Sequence, residues 1–113
     1  MFYDRVIIEG KVIITVELVR ATIKEAEEFK ELLSQEIESG TRDIIIDLCY
    51  CEFIDSTFLG SLVVSLKRLL TVKGTLKLCN LKPSVYSMFE LTRMYKVFQI
   101  YDSLDKALSS YNE

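Results

Sequence analysis

The sequence contains no histidine, so it has no side chain whose unperturbed pKa changes charge between pH 5 and 8. It also has no G-x-x-x-x-G-K phosphate loop and no G-x-S-x-G nucleophile elbow. These absences point away from an enzyme. One proline and four glycines among 113 residues, with half the residues hydrophobic and 27% charged, exclude a disordered tail and fit a packed globule. Cysteine is scarce and odd in number. Cys49 and Cys51, two apart in a strand-like stretch, point to one face without the geometry for a mutual disulfide, and three thiols without histidine fall short of a closed zinc site. Neither a metal nor a cofactor is expected. The thiols read as small buried hydrophobes in a reducing compartment, with a redox role for Cys51 as the alternative.

A basic stripe is missing too. The net charge is −3 and the pI about 5.1, with Lys and Arg interleaved with acids, so nucleic acid is not an expected direct partner. Asp4, Arg5, Glu9, Lys11, Glu17 and Arg20 interrupt the first twenty residues, and no later run approaches the roughly 18 apolar residues of a membrane span. A cytoplasmic location without membrane insertion is expected.

What is present alternates strand and helix signals. Phe2 to Ile8 and Val12 to Val16, joined by Glu9-Gly10-Lys11, read as two strands of a hairpin at a sheet edge. Thr22-Ile23-Lys24-Glu25 has a capping-box pattern, and Ile23, Ala26, Phe29, Leu32, Leu33 and Ile37 keep helical spacing until Gly40. The outer face of that helix is acidic, with Glu25, Glu27, Glu28, Glu31, Glu36 and Glu38 against Lys24 and Lys30. It reads as a solvated surface or an acidic docking face. Asp43 to Leu48 is an apolar run suited to a central strand buried on both sides, with Asp43 and Asp47 as solvated strand ends. A second helix runs from Ser56 towards Gly74. Thr75 to Cys79 forms a short strand, Pro83 opens a helix through Leu91, Val97 to Tyr101 is a last strand, and Asp102-Ser103 caps a helix to Tyr111. The order ββαβαβαβα implies an α/β fold: one domain over residues 1–113, a mostly parallel central sheet and helices packed on it.

The passage Cys51-Glu52-Phe53-Ile54-Asp55-Ser56-Thr57-Phe58-Leu59-Gly60 leads from the central strand into the second helix, where functional groups collect in open parallel sheets. A helix start carries unpaired amides and partial positive charge. Ser56 or Thr57 can therefore serve as an N-cap or as a phosphate acceptor.

These residues resemble the STAS domains, in particular the bacterial anti-sigma factor antagonists. Phe53 to Gly60 after the apolar strand is similar to the family's D-S-[ST]-G-L-G signature. Gly74 to Asn80 looks like its next strand, Phe89-Glu90-Leu91-Thr92 with Lys96-Val97-Phe98 like its E-L-T-G-L-x-x-[IVL]-F segment, and Ile100 to Ser103 with Ala107-Leu108 like its closing strand and helix. The resemblance implies an anti-sigma factor antagonist working by partner switching. It would bind an anti-sigma factor that is also a serine kinase, and a cognate serine phosphatase would restore it. The phosphorylated serine maps to Ser56, with Thr57 as second choice, and Asp55, Ser56, Thr57, Phe58 and Thr22 are the implied partner-binding residues. Four positions depart from the pattern: Phe58 and Arg93 stand where glycines are usual, and Val19 and Thr22 stand where Gly and Asp of a G-x-L-D segment would fall. Phe58 leaves open an anchor or an obstruction, and with it a constitutive adaptor subunit of a signalling or lipid-transport complex. A small-ligand or nucleotide sensor using the helix start as an anion site is the further alternative.

Overall fold

A computed structural model describes residues 2–112; Met1 and Glu113, included in the expected domain, lie outside the described residues. The hairpin forms as expected, from β1 (Tyr3–Ile8) and β2 (Lys11–Val16). Glu9 and Gly10 between them both have positive φ, the backbone that a two-residue turn between twisted antiparallel strands requires. A short β3 (Arg20–Ala21) leads into α1 (Ile23–Glu38). Then follow β4 (Asp43–Asp47), a short β5 (Phe53–Ile54), α2 (Ser56–Thr71), β6 (Thr75–Cys79), α3 (Pro83–Leu91), β7 (Gln99–Tyr101) and α4 (Leu104–Ser109).

Five strands form one sheet in the order β1-β2-β4-β6-β7, antiparallel only at β1-β2. The apolar run from Asp43 is indeed the middle strand. Strand alternation divides the core. Val12, Ile14, Ile44, Ile46, Leu76 and Leu78 face α1, α2 and α3, whereas Ile13, Ile45 and Cys79 face Ala107 of α4. On that second face Lys77 is buried, its Nζ donating to Ser110 Oγ at 2.5 Å and standing 3.6 Å from the centre of the Tyr111 ring. Among the described residues Lys77 has no carboxylate partner, but an ammonium over an aromatic face keeps favourable electrostatics, and here it holds the C-terminal turn onto the sheet.

Several local expectations change. Ile23, assigned to the core face of α1, is exposed at the first residue of the helix. Glu36, assigned to the acidic outer face, is buried instead. Arg5 of β1 reaches it with a two-pronged ion pair, and Thr41 Oγ1 donates to it at 2.9 Å. Asp47 is not a solvated strand end: it is buried and accepts from Cys49 N at 3.0 Å and from Asn80 Nδ2 at 3.1 Å. Cys49 and Cys51 lie beyond β4 in a turn, not in a strand. Burial pushes the thiols of Cys51 and Cys79 up to about 12, so neither is a thiolate at neutral pH, and the redox reading of Cys51 loses its reactive form.

Arg93 occupies the left-handed region, φ 61° and ψ 17°, where α3 ends. The chain thus keeps the turn that a glycine would make and accepts a side-chain clash of about 1 kcal/mol or more. Replacing Arg93→Gly should raise stability by roughly 0.5–1 kcal/mol in urea unfolding.

A second prediction concerns Glu36. Burial favours its neutral form, yet the hydrogen bonds from Arg5 and Thr41 and the Arg5 charge outweigh that and hold its carboxyl below the usual value. A depressed carboxyl contributes stability above its unfolded pKa and loses it as pH falls through the folded one. Because Arg5 is half exposed, Arg5→Met should cost only about 1 kcal/mol at pH 7. That difference from the unaltered chain should shrink in unfolding titrations carried below the ordinary carboxyl value of 4.5.

Candidate functional site

Two helix starts meet at one carboxylate. Asp55 Oδ1 accepts from Phe58 N at 2.9 Å, which caps α2, and Asp55 Oδ2 accepts from Ile23 N at 2.8 Å, in the first turn of α1. The cap of α2 is therefore Asp55, and neither Ser56 nor Thr57 fills that role. A carboxylate there meets the positive ends of both dipoles, which explains why aspartate suits the position. Thr22 caps α1 with the full capping box: its Oγ1 accepts from Lys24 N at 3.3 Å, and Glu25 Oε1 accepts from Thr22 N at 2.9 Å.

The contact between the two starts depends on a parallel mini-sheet. Arg20 pairs with Phe53 and Ala21 with Ile54, and Asp55 N then donates to Ala21 O at 3.1 Å. Ala21 and Ile54 are buried, while the Arg20 guanidinium lies 4.3 Å from the centre of the Phe53 ring on the outside. Two residues per strand are too few for a periodic signal. The available hint is the parallel build of Arg20-Ala21-Thr22 and Phe53-Ile54-Asp55, each a dipeptide followed by a capping residue.

Four of the five expected partner-binding residues, Thr22, Asp55, Ser56 and Thr57, thus gather at the same end of the molecule. Ser56 and Thr57 are exposed; Thr22 and Asp55 are half-buried and occupied in capping. Phe58 is the exception and corrects the expectation of a partner contact. It is 0% exposed, and its ring stacks on Phe29 of α1 with centroids 4.6 Å apart and planes 20° from parallel. The side chain points inward because helical spacing puts Phe58 on the same face as Leu62, Leu66 and Leu69. The adaptor reading took Phe58 as an exposed anchor or obstruction, and its burial removes that footing.

Sequence reasoning missed the apolar border of the site. Val19, Ile23 and Phe53 are exposed around the caps, and a groove of about 310 Å³ runs between α1 and α2, lined by Ala26, Glu27, Lys30, Thr57, Gly60, Ser61 and Val64. Mixed apolar and charged side chains over small residues suit contact with a protein surface. An anion is less well served: the amides of Phe58 and Ile23 already serve a carboxylate, whose charge would repel a second one. Among the described residues no group of acidic or thiol side chains could hold a metal ion, and no helix is long and apolar enough to cross a membrane.

The order of elements, the mini-sheet and the Asp-Ser-Thr helix start define a known domain class. The chain belongs to the STAS domain family, whose pattern matches residues 13–107. It is similar to BtrV of Bordetella bronchiseptica, named as a candidate anti-sigma factor antagonist, with 30% identity over 86 residues that make up 76% of this chain and 74% of BtrV. The crystal structure of TM1081 from Thermotoga maritima, also described as a candidate anti-sigma factor antagonist, superposes with a TM-score of 0.90 at 26% identity. That match covers 98% of this chain and 95% of TM1081. SpoIIAA of Bacillus in its phosphorylated form shares the fold with a TM-score of 0.74 at 18% identity, over 96% of this chain and 98% of SpoIIAA.

Substituting Asp55→Ala should remove both acceptors at once and lower stability by about 1–2 kcal/mol, whereas Asp55→Asn, with one oxygen that accepts and an NH2 set against the other amide, should recover only part of it. Amide exchange at Ile23 and Phe58 is the direct readout, and both should accelerate together in the alanine variant.

Proposed function

We propose that this chain is an anti-sigma factor antagonist that docks its partner on the surface around Thr22, Asp55, Ser56 and Thr57, and that phosphorylation of Ser56 releases it. The partner would be an anti-sigma factor serine kinase, with a serine phosphatase to reset the switch; binding would free a sigma factor. The observation that carries this reading is the placement of Ser56. Its hydroxyl is exposed at the first residue of α2, next to a carboxylate that takes over the capping work. Ser56 has no cap to give up when modified.

The descriptions of BtrV and TM1081 as candidate anti-sigma factor antagonists support the same reading. A phosphate on Ser56 adds up to about −2 charge at a docking surface already bearing the Asp55 carboxylate, which repels a partner fitted to the neutral hydroxyl. The remaining first-turn amides and the α2 dipole tolerate that charge, so the modified domain stays folded.

Incubation with a kinase-type anti-sigma factor and ATP should add one phosphate by intact mass, and Ser56→Ala should abolish it. Ser56→Asp should weaken the complex at least about tenfold, near 1.4 kcal/mol, with a melting temperature within about 2 °C of the unaltered chain. Phosphate lost only in Thr57→Ala would move the switch to Thr57; phosphate retained by both variants would sink the reading.

A further inference from the structure

Three of the four glycines answer to the chain's own fold. Gly10 and Gly40 have positive φ, and a Cβ on Gly74 would collide with Arg42 O. Gly60 is different. It lies inside α2 without a positive φ, and a Cβ added to it would meet nothing within 4 Å. Glycine is among the poorest helix formers, so the chain gives up helix stability at Gly60 and gains neither a turn nor a packing contact of its own.

The surroundings of Gly60 supply a reason. It follows Ser56 by one helical turn on the same side of α2, about 6 Å further along the axis. It also lines the groove between α1 and α2, together with Ala26 and the half-exposed Val64, and Thr57 joins that groove to the Ser56 surface. Ser61 Oγ donates its proton to Phe58 O at 2.6 Å, and Lys30 Nζ stands 3.3 Å from Glu27 Oε2. With those two charges paired to each other, the groove carries no net charge and suits an apolar side chain.

We propose that, given the docking of a kinase-type anti-sigma factor at Ser56 on which this step rests, Gly60 is a docking position where that partner seats an apolar side chain against the bare α2 backbone. Reach decides the occupant. A specific interface covers about 800 Å² of each partner, far more than one helical turn presents, so a protein closing on the Ser56 hydroxyl covers Gly60 as well. The missing Cβ leaves the anchor in van der Waals contact with the helix, and a methyl group there would take the anchor's place.

Calorimetric titration with the kinase-type anti-sigma factor, alongside melting curves, tests the proposal. Gly60→Ala should raise the melting temperature by roughly 3–6 °C, because alanine favours the helix and has room, and should weaken the complex about tenfold. Gly60→Leu should melt no lower than the unaltered chain and weaken the complex about a hundredfold. A lower melting temperature in both variants would show that Gly60 serves the chain's own fold and would overturn the proposal. Full affinity in both variants would overturn it too, while leaving the assignment of Ser56 intact. A kinase that neither binds nor phosphorylates the unaltered chain defeats that assignment first and this proposal with it. Self-association of the unaltered chain in sedimentation equilibrium, abolished by Gly60→Leu, would give the groove to a second copy and overturn the proposal.

Discussion

The carboxylate of Asp55 accepts amides from two helices, and the geometry of the whole upper end of the molecule follows from that pair of bonds. One oxygen ends the approach to α2 and the other holds the first turn of α1, so two positive helix ends that would repel are joined through one negative group. The mini-sheet of Arg20-Ala21 and Phe53-Ile54 brings the two segments level, and the capping box of Thr22 orients the second start. With capping assigned to Asp55 and Thr22, the hydroxyls of Ser56 and Thr57 are left facing solvent.

Below that junction the two helices are locked by their rings. Phe58 stacks on Phe29, and Phe29 in turn packs against Tyr3 at 5.3 Å, so the start of α2, the middle of α1 and the edge strand share one aromatic column. The ring of Phe58, at a position where the resembled signature has glycine, is accommodated inward as core and leaves the outer surface of the turn unobstructed. Arg93 shows the other way of absorbing a lost glycine, with the left-handed backbone kept and the strain borne locally. Neither departure from the family pattern alters the exposed face at Ser56.

Legibility followed the length of each element. The hairpin, both long helices and the Asp43 strand have runs of apolar residues at period 2 or 3.6, and the structure reproduces them within a residue or two. α3 and the capping serine of α4, Ser103, were also readable, because Pro83 and Ser103 suit the starts of helices. The two-residue strands β3 and β5 were not, since they have no period at all. Glu36 was misplaced for a related reason. An acidic residue on a helix reads as solvated unless its partner is visible, and Arg5 is thirty-one positions away in sequence. The candidate site was partly legible as a motif at a helix start, but the identity of the capping residue was not, because Asp55, Ser56 and Thr57 are all competent caps.

By itself, the sequence determined the longer strands and helices, their order, and the chemical identity of the residues at the α2 start, because those properties depend on local spacing and composition. Tertiary structure decided what those residues do. The same carboxylate could cap one helix or two, and the same phenyl ring could face a partner or the core. Contacts between segments far apart in the chain select among such options, and at Asp55 they set one residue to hold the framework while its neighbour Ser56 is left exposed to solvent.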